Sequence, residues 1–294
     1  MQAPRVEQKT VRSYDGTSIA YQVRGEGPAV VLSNGLGGTF SAWRHQYALL
    51  DRHYKTISWD YRGLFRSGRP GGLDTLAFDQ QTRDLEIVLE AEGVDRAIFL
   101  GWSMGVQYNF EYYRHHADQF VGMLVINGVA GNPYRTAFGG GAVGHLIPSG
   151  IGVMKRAAPL ISMGSRFATH ARRLIPAMQA VGMVATTLDE DVFVDLATEY
   201  CTLDFEVYAE TLRQLGLHDA TDLLHRVQCP VGIVTGSKDF FTPLKTAEAM
   251  AETVPDADLL VVEGGTHYTA VEFPREVNEY IRDFFKKLDY GDLP

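Results

Sequence analysis

Continuous apolar runs alternate with segments of helical periodicity along most of this 294-residue chain. Residues 29–32 and 121–126 are apolar at almost every position, which is typical of strands buried on both faces of a parallel sheet. Near the amino terminus, Asp15-Gly16 separates two strand-like runs, 8–13 and 18–24, and predicts a hairpin. The whole pattern predicts an α/β fold with a mostly parallel central sheet of about eight strands and helices on both faces.

The alternation stops for about a hundred residues in the second half of the chain. From Gly128 to about Leu224 the sequence shows helical patterns punctuated by Gly and Pro, with no strand-like run between them. Strands and helices alternate again after this segment. We therefore predict an α/β core in two parts, residues 1–128 and 226–294, with a helical cap inserted at residues 129–225.

Composition and charge narrow the class of protein. An apolar content of 45% is that of a globular protein, and a net charge of −9 argues against nucleic acid as a partner. The first residues lack the apolar core of a signal peptide, and no run approaches the roughly 18 apolar residues of a membrane span. We therefore expect a cytoplasmic protein without an integral membrane segment. The nine histidines show no metal-ligand spacing, so no metal or other cofactor is expected.

Residues 101–105, Gly-Trp-Ser-Met-Gly, form a Gly-x-Ser-x-Gly pattern in which Ser103 is the candidate nucleophile. Residues 98–100 are apolar, and Val106 and Phe110 follow the serine at helical spacing. This context predicts a sharp strand-to-helix turn that exposes the Ser103 hydroxyl, with the free amides of the helix start facing any anion that forms there. The pattern alone occurs by chance in about one chain in ten of this size, so an ordinary Gly-Ser turn is the alternative.

Two further polar residues follow predicted strands in the last third of the chain. Asp239 comes after the strand at 231–235, and His267 comes after the strand at 258–263. Because the carboxyl ends of parallel strands share one edge of a sheet, both side chains should gather at the edge that carries Ser103. The chain order Ser, Asp, His is the order expected for a hydrolase with this kind of serine turn.

Each of these two residues has a plainer interpretation. Asp239 could be the N-cap of the following helix, in which case Asp204 or Asp219 would be the remaining candidates for the catalytic carboxylate. His267 could simply form a hydrogen bond at the start of the last helix.

With these residues in place, the chain resembles the α/β-hydrolase superfamily, in particular its serine esterase and lipase branch with a helical cap. The resemblance covers about residues 8–127 and 226–288. Five segments carry it: Ser-Asn-Gly-Leu-Gly-Gly at 33–38, Asp-Tyr-Arg-Gly at 60–63, Gly-Trp-Ser-Met-Gly at 101–105, Gly-Ser-Lys-Asp at 236–239 and Gly-Thr-His at 265–267.

The resemblance implies a role for each candidate residue. His267 would take the proton from Ser103 and later pass it to the leaving group, and Asp239 would hold the second ring nitrogen of the imidazole. The backbone amides of Leu36 and Met104 would form the oxyanion hole. The catalytic residues are therefore expected to be Ser103, Asp239 and His267.

For three residues within these motifs the sequence leaves two roles open. Asn34 stands where relatives often carry His, and it either ties down the glycine-rich loop or touches the substrate. Asp60 and Arg62 are expected to form a buried ion pair that braces the loops of the active site, with substrate binding as the alternative.

The predicted cap has an unusual charge balance. Between Gly131 and Leu188 there is no Asp or Glu, and the basic residues are Arg135, Lys155, Arg156, Arg166, Arg172 and Arg173. The plainer interpretation is a helical lid whose apolar face covers the core. The sharper hypothesis is a lipophilic acyl pocket with a basic rim that faces an anionic substrate or a membrane interface. The expected substrate contacts are Asn34, Trp102, Leu146 and Met163.

We therefore expect a serine hydrolase that cleaves carboxylic esters, preferably lipophilic acyl esters, through an acyl-enzyme. The alternatives on the same fold are a carbon–carbon bond hydrolase or enol-lactonase, a perhydrolase, and a non-catalytic receptor for a small molecule. The expected partner is a small-molecule ester, with no nucleic acid and at most weak interface contact through the cap. A monomer or a homodimer is expected.

Overall fold

A computed structural model describes residues 6–139, 146–147, 149–154 and 171–291 of the chain. Eight strands form one sheet in the order β1-β2-β4-β3-β5-β6-β7-β8. The strands are β1 (Val6–Arg12), β2 (Ser18–Arg24), β3 (Ala29–Ser33), β4 (Lys55–Trp59), β5 (Ala97–Trp102), β6 (Phe120–Ile126), β7 (Val231–Gly236) and β8 (Ala257–Val262). Strand β2 pairs antiparallel with β1 and β4, and the other neighbours are parallel. The predicted fold class is confirmed.

Helices follow most of the strands in the described parts of the chain. They are α1 (Arg44–Leu50), α2 (Phe78–Ala91), α3 (Met104–His116), α4 (Ala171–Ala180), α5 (Glu190–Tyr200), α6 (Phe205–Leu215), α7 (Leu244–Thr253), α8 (Thr269–Glu272) and α9 (Pro274–Lys287). None of the described helices combines the length and the apolar character needed to cross a membrane.

Both faces of the sheet are covered, which explains why its central strands are apolar throughout. In β3, Val31 packs in one apolar cluster, whereas Val30 and Leu32 pack in a second cluster on the other face. The first cluster includes residues of α2, α3 and α7, and the second includes residues of α1 and α9. Alternate side chains of one strand thus point into two separate layers of helices.

Between β6 and β7 the described residues include helices α4, α5 and α6 and no strand. This helical content agrees with the sequence pattern. That residues 129–225 act as a cap remains a prediction.

The expected ion pair between Asp60 and Arg62 is wrong. The fully buried Arg62 guanidinium donates from Nε and Nη2 to the two carboxylate oxygens of Asp84, over 2.7 and 2.6 Å, and from Nη1 to Asp15 over 2.9 Å. Asp60 instead accepts the backbone N–H of Arg66 at 3.3 Å. The main partner of Arg62 is thus Asp84 on α2. The positions of these two residues in the sequence do not indicate this tertiary contact.

Burial of Asp60 is expected to make the stability of the fold depend on pH. The side chain is 4% exposed, and burial raises the pKa of its carboxyl from 3.8 to about 7, against the lowering effect of Arg66. The folded state therefore holds this proton more tightly than the unfolded state. As a result, the contribution of Asp60 to the free energy of unfolding should fall as the pH rises from 3.8 to about 7, by about 1.4 kcal/mol for each pKa unit.

The measurement is urea denaturation of the wild type and of Asp60→Asn at pH 5 and pH 8. Asn cannot titrate, yet it keeps an oxygen that can accept the Arg66 N–H. The variant should therefore lose less stability than the wild type between the two pH values. An equal loss in both proteins would show that Asp60 does not hold its proton in the folded state.

Candidate active site

Ser103 lies in a sharp turn between β5 and α3. Its backbone angles, φ 55° and ψ −119°, are unfavourable for a residue with a side chain. The two glycines of the motif allow this turn: a Cβ on Gly101 would lie 2.7 Å from the nitrogen of Val106, and one on Gly105 would lie 2.0 Å from the carbonyl oxygen of Ser33. The motif therefore forms the expected strand-turn-helix, and it is not an ordinary Gly-Ser turn.

The structure brings Ser103, His267 and Asp239 together. The Ser103 Oγ lies 2.8 Å from His267 Nε2, and His267 Nδ1 lies 2.9 Å from Asp239 Oδ2. Because a carboxylate can only accept, the proton of the neutral imidazole belongs on Nδ1, which leaves Nε2 free to accept the serine proton. The Asp239 side chain is fully buried and that of His267 is 14% exposed. This arrangement can activate a hydroxyl as a nucleophile.

Asp239 is held as a carboxylate by several donors. Its Oδ1 accepts the N–H groups of Phe241 and Thr242, each at 2.9 Å, and its Oδ2 accepts the Thr242 hydroxyl at 2.6 Å. Burial by itself raises the pKa of Asp239. The charge and hydrogen bond of His267, together with the bonds from Thr242, outweigh that effect and lower the pKa below its ordinary value.

The two other candidate carboxylates lie elsewhere. Asp204 caps α6 by accepting the N–H groups of Glu206 and Val207, and Asp219 accepts the N–H and hydroxyl of Thr221. Neither is hydrogen-bonded to His267 in the described structure.

Asn127 is a residue of the site that the sequence analysis missed. Its Nδ2 donates to Asp239 Oδ2 at 2.9 Å and to the carbonyl oxygen of Thr266 at 3.0 Å. It directly follows β6 and has a positive φ of 45°, which Asn tolerates better than most residues. One sequence signal points to Asn127: it is a polar residue directly after an apolar strand. That position belongs to the same edge of the sheet as Ser103, Asp239 and His267.

Glu272 is the second missed residue, and it fixes the loop that carries His267. It is 2% exposed and accepts three hydrogen bonds, from the N–H and hydroxyl of Thr266 at 2.7 and 2.6 Å and from the N–H of Ala185 at 2.7 Å. The carboxylate therefore links the His267 loop to the segment between β6 and β7. No local motif identifies Glu272 in the sequence.

The glycine-rich loop after β3 packs closely over the serine turn. A Cβ on Gly35 or Gly38 would lie 2.9 or 2.6 Å from the ring of Trp102. In the described part of the chain, the amides of Leu36 and Met104 have no hydrogen-bond acceptor. Met104 directly follows Ser103, and free amides at these two positions would suit an oxyanion. Their role as the oxyanion hole stays a prediction.

Of the two roles left open for Asn34, the structure supports tying down the loop. Its side chain is buried, where Nδ2 donates to the carbonyl oxygen of Trp59 at 2.9 Å and Oδ1 accepts the Trp43 indole N–H at 2.7 Å. With these internal partners it does not line the cavity beside the site, so its expected contact with substrate is not supported.

A cavity of about 780 Å³ adjoins the serine turn. Most of the side chains that line it are apolar or aromatic, including Leu36, Trp102, Met178, Phe193, Leu196 and Tyr268. Trp102 directly precedes Ser103 in the chain, and Leu36 carries one of the two amides predicted to form the oxyanion hole. Residues of α4, α5 and α6 supply much of the remaining wall.

Of the three other expected substrate contacts, the structure places one at the cavity and one at the surface, and it does not describe the third. Trp102 lines the cavity, and its indole N–H donates to the carbonyl oxygen of His267 at 2.9 Å. Leu146 is 66% exposed and does not line the cavity, because its side chain lies at the protein surface. Met163 lies outside the described residues.

The basic rim expected on the cap is only partly described. Arg172 pairs with Glu190 and Asp191 of α5, so acidic residues beyond Leu188 offset its charge. Lys155, Arg156 and Arg166 lie outside the described residues.

No group of three or more His, Cys, Asp or Glu in the described parts of the chain is arranged to hold a metal ion.

The chain was compared with known protein families and proteins. The sequence model of the family described as "Alpha/beta hydrolase family" matches residues 30–280. A protein named "Putative carbamate hydrolase RutD" from Azorhizobium caulinodans is 24% identical over 270 residues, which cover 92% of this chain and 95% of that protein.

Solved structures agree on the fold. A hydrolase from Pseudomonas aeruginosa is 22% identical with a TM-score of 0.76, over 95% of this chain and 98% of that one. A thermophilic esterase from Thermogutta terrifontis is 22% identical with a TM-score of 0.70, over 96% and 99% of the two chains.

Proposed function

Since the chain belongs to the α/β-hydrolase family, we propose that it is a serine hydrolase that cleaves carboxylic esters through an acyl-enzyme. Ser103 is the nucleophile, His267 the general base and acid, and Asp239 the group that orients the imidazole. The observation that carries this proposal is the 2.8 Å separation between Ser103 Oγ and His267 Nε2, with Asp239 on the other ring nitrogen.

The first half of the reaction forms the acyl-enzyme. Ser103 Oγ attacks the carbonyl carbon of the ester while His267 Nε2 takes the hydroxyl proton. The negative charge that develops on the carbonyl oxygen is bound by the amides of Leu36 and Met104, and each such donor is worth about 3 kcal/mol in the transition state. The carbon–oxygen bond to the alcohol then breaks, and the proton passes from His267 to the departing alcohol.

The second half releases the acid. A water molecule loses its proton to His267 as it attacks the acyl carbon, and the same two amides bind the charge again. When the bond to Ser103 breaks, the proton returns from His267 to the serine oxygen. Asp239 stays ionised throughout and stabilises the imidazolium that forms twice in each cycle.

The cavity beside the serine turn indicates a lipophilic acyl group. Its lining offers apolar and aromatic contacts, and its volume of about 780 Å³ lies within the range of ligand pockets. Because α4, α5 and α6 supply much of the wall, we assign residues 129–225 the role of a cap over this cavity. Flexible side chains such as Met178 and Met183 let such a wall fit acyl groups of different shapes.

The rate of hydrolysis is expected to rise with acyl chain length. Each methylene that enters the cavity contributes about 0.8 kcal/mol, so kcat/KM for p-nitrophenyl esters should rise about fourfold per methylene until the cavity is filled. Ala197→Trp should remove this rise, because residue 197 lines the cavity and the indole would occupy space meant for the chain. Hydrolysis of the acetate ester should change little.

Thr198→Trp is the matched control. Residue 198 is exposed on the same helix and does not line this cavity, so the variant carries the same added side chain at a neighbouring position. It should keep the chain-length profile of the wild type. A profile that is flat in the wild type, or equally altered in both variants, would exclude the cavity as the acyl site.

Carbamate hydrolysis is the second candidate, favoured by the name of a relative that matches along nearly its full length. Ser103, activated by the same His267 and Asp239, could attack a carbamate carbonyl. A small, polar carbamate would leave most of the apolar cavity empty, and for this reason we favour esters. Kinetics with an ester and a carbamate that share one alcohol would separate the two, since a larger kcat/KM for the carbamate would reverse this preference.

A further inference from the structure

Three phenylalanine rings pack against one another beside the imidazole of His267. The ring centroid of Phe241 lies 5.1 Å from that of His267 and 4.6 Å from that of Phe240. The ring of Phe138 lies 5.2 Å from each of the other two. We call Phe138, Phe240 and Phe241 the phenylalanine cluster.

The phenylalanine cluster is separate from the cavity proposed for the acyl group. The rings of Trp102 and Tyr268, 6.1 and 6.2 Å from the imidazole, both line that cavity. None of the three phenylalanines lines it. The imidazole of His267 therefore contacts two different apolar surfaces, and the acyl cavity accounts for only one of them.

The outer member of the cluster is held in an unfavourable position. Phe138 is 47% exposed and has a left-handed backbone, φ 54° and ψ 32°, which is costly for a bulky residue. Its N–H donates to the carbonyl oxygen of Phe240 at 2.6 Å, which holds Phe138 against the cluster. Burial in the core does not explain a strained aromatic residue that remains half exposed next to the site.

The inner member of the cluster is fixed to the catalytic machinery. The N–H of Phe241 donates to Asp239 Oδ1 at 2.9 Å, and Asp239 Oδ2 accepts from the imidazole of His267. The same carboxylate thus sets the positions of the imidazole and of the first ring of the cluster. A group bound on this ring would lie next to the imidazole.

We propose that the phenylalanine cluster binds the alcohol part of the ester and favours aromatic alcohols. This inference rests on the proposed function, in which His267 gives its proton to the departing alcohol. The alcohol must then lie against the imidazole, while the acyl group extends into the cavity next to Leu36 and Trp102. An aromatic alcohol would pack edge-to-face or offset against Phe138 and Phe241, the arrangements that aromatic rings prefer.

The test compares three butanoate esters, those of benzyl alcohol, cyclohexylmethanol and ethanol, on the wild type and on Phe138→Ala. The acyl group is constant, so differences among the esters report on the alcohol site. Phe138→Ala should lower kcat/KM about three- to tenfold for the benzyl ester and less than twofold for the ethyl ester. Phe138 is half exposed, so the variant should keep its fold, which thermal denaturation would check.

Leu174→Ala is the matched control, because Leu174 is 39% exposed and lines the acyl cavity. It should leave the ratio of benzyl to ethyl kcat/KM unchanged. An unchanged ratio in Phe138→Ala would overturn the inference, and an equal loss for the benzyl and cyclohexylmethyl esters would overturn the aromatic preference. If the wild type hydrolyses none of the three esters, the proposed function itself fails.

Discussion

Ser103→Ala is expected to lower kcat/KM for p-nitrophenyl butanoate by at least about 10⁴-fold. The alanine removes the hydroxyl oxygen to which we assign the acyl bond, while the proposed oxyanion donors and the cavity remain. What activity survives would come from binding and charge stabilisation alone. The fold should be kept, because the backbone of the turn is held by the bonds from the Ser103 N–H to the Ile126 carbonyl and from the Val106 N–H to the Ser103 carbonyl, each at 3.0 Å, and neither needs the hydroxyl.

Steady-state kinetics and a fluorophosphonate probe check this result together. The wild type should be labelled at a single site and show a burst of p-nitrophenol, and Ser103→Ala should show neither. Ser149→Ala, at an exposed position, should behave as the wild type. Normal turnover by Ser103→Ala would contradict the assigned nucleophile, and a wild type that is neither labelled nor active would favour a receptor on the same fold.

Asp239→Asn is expected to lower kcat by about 10³- to 10⁴-fold, a loss similar to that seen when the corresponding carboxylate of a serine protease is replaced. The carboxylate accepts the Nδ1–H of His267 over 2.9 Å and so keeps Nε2 free for the serine proton. An asparagine amide can donate to Nδ1 and thereby favour the wrong tautomer. It also gives up the negative charge that stabilises the imidazolium.

The acid limits of activity and stability should reflect the lowered pKa of Asp239. Its partners keep Asp239 ionised at pH values below those at which a carboxylic acid ordinarily takes up its proton. Because its pKa is lower in the folded than in the unfolded state, its stabilising contribution is fully present above the unfolded pKa. That contribution is lost only as the pH falls through the lower, folded pKa. Asp239→Asn lacks this titration, so its free energy of unfolding should change less than that of the wild type at the most acidic pH values.

Asp219→Asn is the control for the choice of carboxylate. Asp219 was an alternative candidate in the sequence, and its side chain is exposed and bonded to Thr221. Its replacement should leave kcat within about twofold. If Asp219→Asn caused the larger loss, the role proposed for Asp239 would have to be given up.

The fold class could be predicted because its signals are local. The apolar runs of β3 and β6 and the Asp15-Gly16 turn each depend on neighbouring residues only, and strands that are covered on both faces need such runs. The position of Ser103 between a strand and a helix was predictable for the same reason. Its motif requires glycines wherever the chain approaches itself too closely for a Cβ.

The wrong ion pair and the two missed residues of the site all concern contacts between distant parts of the chain. Arg62 was assigned to its near neighbour Asp60, whereas its partner Asp84 lies on α2. Glu272 bonds to Ala185, 87 positions away, and Asn127 bonds to Asp239 across the edge of the sheet. No spacing rule relates such residues, because strand order and loop paths decide which of them meet.

The sequence by itself therefore determined the elements, their class and the strand ends at which Ser103, Asp239 and His267 stand. Only the tertiary structure decided that these side chains lie within hydrogen-bond distance, and that an apolar cavity and the phenylalanine cluster adjoin the same imidazole. The physical reason is that periodicity and turn chemistry act over a few residues. Distances between side chains, by contrast, depend on how the whole sheet and its helices pack.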